Sequence, residues 1–100
     1  METFPCQLTI MNMPTDVSAH DTVSIEAHVE IFDPSITLGF ILLSIPATGE
    51  LLRFAKKEDK AYILSYTVPY APAGTYSVSI YAMADNGLRT APQNFDIRIL

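Results

Sequence analysis

A repeating alternation of apolar and polar residues is the feature of this sequence that most constrains its fold. Alternate residues are apolar in the segments 22–32, 61–68, 75–84 and 93–100, and a shorter run of the same kind covers 6–11. A period of two is typical of β-strands that bury one face and expose the other to water. Seven prolines interrupt the chain, so few segments are free to form a helix. The pattern therefore predicts an all-β protein.

Short segments of turn-forming residues separate these runs. They are 33–35 (Asp-Pro-Ser), 46–49 (Pro-Ala-Thr-Gly), the lysine-rich 56–60 and 85–87 (Asp-Asn-Gly). About seven short strands with turns every 8–12 residues indicate an antiparallel sandwich of two sheets. We expect a single domain over residues 1–100, with residues 1–5 as a flexible N-terminal extension.

The composition excludes several classes of protein. Of the 100 residues 49% are apolar and the net charge is −5, which is unlike a disordered chain. No apolar run approaches the ~20 residues of a membrane-spanning helix, so we expect no membrane insertion. The excess of acidic residues argues against nucleic acid and anionic lipid as partners. The single cysteine, Cys6, excludes an internal disulfide and is interpreted as a small apolar residue.

The segment 73–82 carries the motif Gly-x-Tyr followed by alternating apolar residues, with its tyrosine at Tyr76. It resembles the tyrosine corner of immunoglobulin-like domains, in which a tyrosine near the start of strand F sends its hydroxyl back to the preceding chain. The loop 69–74 would supply the acceptor. The wider stretch 62–99, with Ala-Asp-Asn-Gly at 84–87, resembles bacterial and archaeal immunoglobulin-like modules. Such modules occur in tandem in cell-surface, secreted and adhesion proteins.

This resemblance implies a strand assignment. Strands A, B, C, C′ or D, E, F and G would cover 6–13, 22–32, 37–45, 50–55, 61–68, 75–84 and 93–100. Strands A, B and E, with D as an open candidate, would form one sheet, and C, F and G the other. Antibody-type domains join their sheets by a disulfide packed on a tryptophan. Here Ile25 and Val78 would take the cysteine places and Phe40 the tryptophan place, so the core alone would supply the stability.

The predicted topology brings two acidic loops to one pole of the sandwich. The B–C and F–G loops would place Asp33 near Asp85 and Asn86, and their oxygens could hold Ca²⁺. The alternative is that these residues only form turns, because calcium requires six or more oxygen ligands. The polar row 26–30 on strand B is interpreted as a solvated sheet face rather than a transition-metal site. We predict no metal and no cofactor, with the three loop residues as a weak calcium candidate.

The segment 38–45 is apolar on both faces, unlike the other strands. Such a strand is either covered on both sides or leaves an exposed apolar surface. Strand C would lie beside strand F, two of whose side chains point outward. We predict an interaction surface on the C–F–G sheet, formed by Ile41, Leu43, Ile45, Tyr81 and Met83. If the other face of strand C points outward, positions 38, 40 and 42 take the place of Ile41, Leu43 and Ile45. A C′ strand or a loop could cover either set.

Nothing in the sequence indicates catalysis. It holds no Gly-x-Ser-x-Gly motif, no phosphate loop and no dinucleotide fingerprint, and nothing places a base beside Cys6. We predict a non-catalytic immunoglobulin-like module of a prokaryotic cell-surface or secreted protein, acting as a structural spacer or as an adhesion and protein-interaction unit. Its partners would be neighbouring domains or another protein, including a weak homodimer through the C–F–G sheet. The alternative is an accessory carbohydrate-binding or packing domain of a secreted multidomain enzyme.

Overall fold

The chain forms β-strands along most of its described length. A computed structural model describes residues 5–68 and 72–100. Within them lie nine strands, none of the residues is helical, and no helix is present that could cross a membrane. The strands are β1 Cys6–Met11, β2 Asp16–Val17, β3 Thr22–Ile31, β4 Leu38–Ile45, β5 Glu50–Arg53, β6 Ala55–Glu58, β7 Ala61–Thr67, β8 Gly74–Ala84 and β9 Gln93–Ile99.

The strands are arranged in two sheets. One has the order β1-β3-β7-β6 and the other the order β2-β9-β8-β4-β5. Neighbouring strands are antiparallel, except that β2 runs parallel to β9 and pairs Asp16 with Arg98. The predicted antiparallel two-sheet sandwich is confirmed. Strands A, B and E correspond to β1, β3 and β7, and strands C, F and G correspond to β4, β8 and β9.

Apolar side chains of the alternating segments fill the space between the sheets. Ile25, Ile41 and Ile80 are the largest fully buried side chains. Val78 is buried in the same cluster as Ile25, so the two residues interpreted as standing in the cysteine places both lie in the core. A second, smaller cluster consists of Val17, Val68 and Ile99. Burial of this apolar surface is the main stabilising contribution, because the only cysteine is free.

The segment predicted as a single strand, 50–55, is two strands in different sheets. β5 ends at Arg53 and pairs with β4, whereas β6 begins at Ala55 and pairs with β7. Phe54 between them is 4% exposed, and its N–H donates to Ile41 O at 3.0 Å. The buried ring anchors the point at which the chain changes sheets. As a result, the lysine-rich segment predicted as a turn begins as an exposed strand, β6.

A β-bulge in β4 decides which side chains of this doubly apolar strand are buried. The register with β8 shifts there, so that Leu38 lies opposite Ala84 and Phe40 lies opposite Met83. Leu38 consequently packs against the core, while Phe40 points to the outer face of the sheet. The interpretation of Phe40 as the core residue in the tryptophan place is therefore wrong. Its neighbour Ile41 is the buried residue.

Two N-terminal features are too short for alternation to reveal. β2 consists of two residues, and it adds the edge strand of the five-stranded sheet. Pro5, expected to belong to a flexible extension, accepts a backbone hydrogen bond from Phe32 N at 3.0 Å. The β1–β3 ladder therefore begins before Cys6. Residues 1–4 of the expected extension lie outside the described residues.

Tyr76 makes the hydrogen bond that a tyrosine corner requires. Its hydroxyl donates to Pro72 O at 2.8 Å, which closes the turn that enters β8. Residues 69–71 of the expected acceptor loop lie outside the described residues. The bond fixes the start of β8, and with it the register of the strand that carries Tyr81 and Met83.

Candidate interaction surface

Five apolar side chains form a patch on the outer face of the five-stranded sheet. Tyr81 on β8 lies opposite Leu42 on β4, and Met83 lies opposite Phe40. Leu51 on the neighbouring strand β5 is 60% exposed, and the other four side chains are half-buried. We call these five residues the outer patch. The described strands form only two layers, and the outer patch faces away from the space between them.

Three residues predicted for the interaction surface lie instead on the core side of β4. Ile41 is fully buried, Leu43 is 3% exposed, and Ile45 packs against the core cluster. The prediction for these three residues is wrong. After the bulge the side chains of β4 alternate between the two faces of the sheet, and positions 41, 43 and 45 point inward. The outward positions are Phe40 and Leu42, on the face that the sequence left as the alternative. The two predicted β8 residues lie on the outer face, and β5 extends the patch sideways instead of covering it.

Two arginines lie over the aromatic rings of the outer patch. Arg53 Cζ lies 5.2 Å from the centroid of the Phe40 ring, and Arg89 Cζ lies 5.8 Å from the centroid of the Tyr81 ring. A guanidinium at this distance is attracted by the negative face of the ring. Arg53 extends from β5, and Arg89 is held beside β8 by a backbone bridge with Met83. Sequence patterns missed both arginines, because each contact joins residues from different segments of the sheet.

The remainder of the outer face is polar. Ser77 Oγ donates to Asp96 Oδ1 at 3.0 Å, and Ser79 Oγ donates to Asn94 Oδ1 at 2.7 Å. These cross-strand bonds join β8 to β9 and satisfy polar groups within the sheet itself. The outer face is therefore divided into an apolar half over β4, β5 and one end of β8, and a polar half over β9 and the other end of β8.

The acidic loop residues are engaged in turn hydrogen bonds. Asp33 Oδ1 accepts from Ser35 Oγ at 2.7 Å and from Ser35 N at 3.0 Å, and these two bonds hold the pKa of Asp33 below its usual value. Asn86 Oδ1 accepts a backbone N–H two residues on, at 3.1 Å. Asp85 N donates to Thr37 O at 2.9 Å, which joins the two loops. Among the described residues no group of three or more His, Cys, Asp or Glu is placed to hold a metal ion. The geometry favours the turn interpretation.

The polar row of β3 forms ion pairs on the outer face of the four-stranded sheet. Lys57 Nζ lies 2.7 Å from Glu26 Oε1, and His28 Nε2 lies 3.1 Å from Glu26 Oε2. The hydrogen bond from Lys57, followed by that from His28, holds the pKa of Glu26 below its usual value. Glu30 pairs with Lys60 at 3.4 Å. The row therefore consists of charged and polar pairs, one within β3, one that reaches across β7 to β6 and one to the turn after β6.

Cys6 has the surroundings of a structural thiol. It is half-buried on the edge strand β1 and packs against the core cluster. Burial raises the pKa of the Cys6 thiol, which lowers the fraction of reactive thiolate. His20 lies in the turn before β3 with a positive φ of 72° and is exposed. Within residues 5–68 and 72–100, neither residue has an activating partner of the kind that nucleophilic catalysis requires.

An apolar cavity of about 90 Å³ lies between the sheets. Its walls include Val23, Val78 and members of both core clusters. Tyr66 and Glu50 also line it, and Tyr66 Oη donates to Glu50 Oε2 at 3.3 Å, which links β7 in one sheet to β5 in the other. Burial, followed by the charge of Glu50, raises the pKa of Tyr66. The cavity therefore marks a loosely packed part of the core with one polar link beside it.

Comparison with known proteins finds relatives at the level of structure. No protein-family model matches the sequence, and no curated protein matches it. The fibronectin(III)-like modules of Clostridium thermocellum CbhA superpose with a TM-score of 0.62 at 17% identity, over 93% of this chain and 96% of that chain. A mutant of the SrpA adhesin from Streptococcus sanguinis superposes with a TM-score of 0.68 at 18% identity, over 100% of this chain and 60% of that chain.

These two likenesses confirm the expected resemblance in fold. The chain is an immunoglobulin-like or fibronectin-III-like β-sandwich, spans nearly the whole CbhA chain and covers about 60% of the adhesin chain. At 17–18% identity the likeness extends to the fold alone, because one sandwich architecture serves many unrelated functions. Function has to be argued from the outer patch itself.

Proposed function

We propose that the chain is a non-catalytic immunoglobulin-like module that binds another protein through the outer patch. The observation that supports this is the row of apolar side chains on a sheet face over which the described strands place no further layer. Leu51 is exposed and the other four side chains are half-buried, so part of their apolar surface still lies in water, and leaving it there forgoes the free energy of burying it. Contiguous apolar surface of this kind accordingly marks interaction sites on proteins.

A place at the cell surface or in a secreted protein is part of the same proposal. The support is analogy with the two similar structures, one a fibronectin(III)-like module and the other an adhesin. In that setting the sandwich acts as a spacer whose outer patch packs against a neighbouring domain or a second protein. The fold likeness supports the class of module, and the patch supports the binding role.

The accessory-domain alternative needs an aromatic ring on which a sugar can stack. Phe40 and Tyr81 are the aromatic residues of the outer patch, and each has a guanidinium over its ring. A sugar would have to displace the arginine to stack on that side of the ring. The geometry therefore favours protein over carbohydrate as the ligand of this face.

Selection of peptides from a random phage-displayed library against the immobilised protein tests the proposal. We compare the wild type with Leu42→Ser in the outer patch and with Ile63→Ser, a half-buried residue on the outer face of the other sheet. Thermal unfolding first establishes that both variants fold. We expect the selected peptides to lose at least about tenfold in affinity for Leu42→Ser and to bind Ile63→Ser like the wild type, because a few buried apolar residues dominate such interfaces.

Two results would overturn the proposal. One is that no peptide is enriched, or that the enriched peptides bind Leu42→Ser as tightly as the wild type. The other comes from a polysaccharide array probed in parallel. Binding there that is lost with Tyr81→Ala would assign the same face to carbohydrate.

A further inference from the structure

We propose that the outer patch recognises a protein segment with an apolar centre and carboxylates on both sides of it. This inference rests on the proposed function and specifies the chemistry of the partner. It is carried by the two arginines that lie over the patch, Arg53 and Arg89.

The two arginines lie on opposite sides of the apolar residues. Arg53 is on β5, where it pairs with Leu42 of β4. Arg89 pairs with Met83 of β8, on the side of β8 that faces β9. Arg89, β8, β4 and β5 thus follow one another across the sheet, and three strand spacings of about 4.8 Å put the Cα atoms of the two arginines roughly 14 Å apart. Each guanidinium reaches from its own side over a ring of the patch, Phe40 on β4 or Tyr81 on β8, so a bound segment would meet one positive charge on either side of the line between these two strands.

The charges of these two arginines are not compensated within the described residues. Ion pairs within 4.0 Å engage His28, Lys57, Lys60 and Arg98. Arg53 and Arg89 form no such pair within residues 5–68 and 72–100, although the chain as a whole carries a net charge of −5. Lys56 on β6 of the other sheet likewise has no ion pair in the described part of the chain, so it is the combination of two unpaired cations with an apolar patch that distinguishes this face. In an acidic protein that combination favours a partner that is both apolar and negatively charged.

Their position over the rings leaves the N–H groups of both guanidiniums available to carboxylates. A ring face accepts no conventional hydrogen bond, so a guanidinium held over it can still donate two parallel hydrogen bonds to one carboxylate. The ring also restricts the side chain before binding, so less conformational entropy is lost on complex formation. The pairs Arg53–Phe40 and Arg89–Tyr81 therefore combine an apolar contact with a charged one.

A second copy of this chain fits the face less well. In a two-fold dimer centred on the outer patch, Arg53 of one copy would lie over Arg53 or Arg89 of the other. Like charges opposed in this way disfavour the contact. This proposal therefore names a different protein segment, one with acidic flanks, as the partner in place of the expected weak homodimer.

Two synthetic peptides of one apolar sequence test the inference. Both have the centre Leu-Val-Trp-Val-Leu, one flanked on each side by Asp-Glu and the other by Lys-Lys. We expect the acidic peptide to bind the wild type at least about tenfold more tightly than the basic peptide, with weaker binding at higher salt. The double variant Arg53→Glu, Arg89→Glu should reverse this preference. The control, Lys56→Glu with Lys60→Glu, changes the net charge equally at the other sheet and should retain it.

The outcomes separate this inference from the proposed function. Equal binding of the two peptides, or a preference that survives the double charge reversal, overturns the inference. If Leu42→Ser abolishes peptide binding in either of these two cases, the proposed function stands although the inference does not. If Leu42→Ser leaves binding of the acidic peptide unchanged, the peptide binds outside the outer patch. That result overturns both the inference and the proposed function. Absence of binding by either peptide overturns the inference, and the library selection then decides the proposed function separately.

Discussion

Tyr76 fixes the start of β8 through one hydrogen bond. Its ring is half-buried beside the smaller core cluster, and its hydroxyl reaches Pro72 O at 2.8 Å. The motif Gly-x-Tyr indicates this residue from sequence, because it resembles the tyrosine corner of immunoglobulin-like domains, whose hydroxyl bonds back to the preceding chain. Its role is structural, since it holds the strand that carries two of the five residues of the outer patch.

Replacing Tyr76 by phenylalanine should destabilise the fold by about 0.5–1.5 kcal/mol, which is the net contribution of one hydrogen bond. The midpoint of urea unfolding measures the change. Tyr62→Phe is the matched control, because Tyr62 packs its ring against the core without a hydrogen-bonded hydroxyl in the described part of the chain. A Tyr76→Phe midpoint equal to that of the control would show that the corner contributes nothing.

Single residues also decide what the sequence could not show. Phe40 is apolar and lies in a strand that is apolar on both faces, so its side chain could have been assigned to either side. The register shift at Gly39 turns it outward. A Cβ at that glycine would lie 3.1 Å from Met83 O, so a close backbone approach favours glycine there. A glycine inside a strand is a recognised sign of a bulge. Gly39 was therefore the signal from which the outward position of Phe40 could have been predicted.

At the scale of whole elements, predictability follows the contrast between the faces of each strand. β3 and β9 have one apolar and one polar face, so alternation alone assigned their inward residues. β4 lacks that contrast, and three of the five predicted surface residues were placed on the wrong side. The segment 50–58 was misassigned for a different reason, since its change of sheet depends on the buried ring of Phe54. Periodicity carries no information about which sheet a strand joins.

The ion pair between β3 and β6 makes the four-stranded sheet sensitive to acid. The pKa of Glu26 is lowered by its bonds to Lys57 and His28, so its stabilising contribution is full above the ordinary carboxyl pKa of about 4 and is lost as the pH falls through the lowered value. Glu26→Gln should therefore lower the unfolding midpoint at pH 7 and have little effect near pH 2. Urea unfolding across this range measures the difference.

Glu30→Gln is the control for this prediction. Glu30 lies on the same strand and face, but its pair with Lys60 is longer, at 3.4 Å, and more exposed. Exposed pairs contribute little to stability. An acid-dependent loss as large in Glu30→Gln as in Glu26→Gln would mean that general charge, and not the link from β3 to β6, produces the effect.

For the whole molecule, the division of the core into two clusters is the main feature. The cavity of about 90 Å³ has walls from both clusters, so the two sheets are packed less closely there than around Ile41 and Ile80. Native cores are packed nearly as densely as organic crystals, and voids of this size forgo contacts on their walls. The sandwich therefore has room to gain stability without a change of fold.

Val78→Ile should raise the free energy of unfolding by about 0.5–1 kcal/mol, because it adds one methylene to the cavity. Ala82→Val is the control. Ala82 lies on the same strand, is fully buried and is outside the cavity walls, so extra volume there should destabilise the fold by about 1–3 kcal/mol. Differential scanning calorimetry measures whether the Tm of each variant rises or falls. A lower Tm for Val78→Ile would show that the cavity cannot accept the added group.

The same cavity makes the molecule respond to hydrostatic pressure. A space of about 90 Å³ corresponds to about 50 mL per mole of protein, which is an upper limit on its share of the volume change of unfolding, because the space is partly open to solvent. Water fills the enclosed part of that space when the sheets separate, so the unfolded chain occupies less volume. Compression, as well as heat, therefore sets the conditions under which the two sheets stay together.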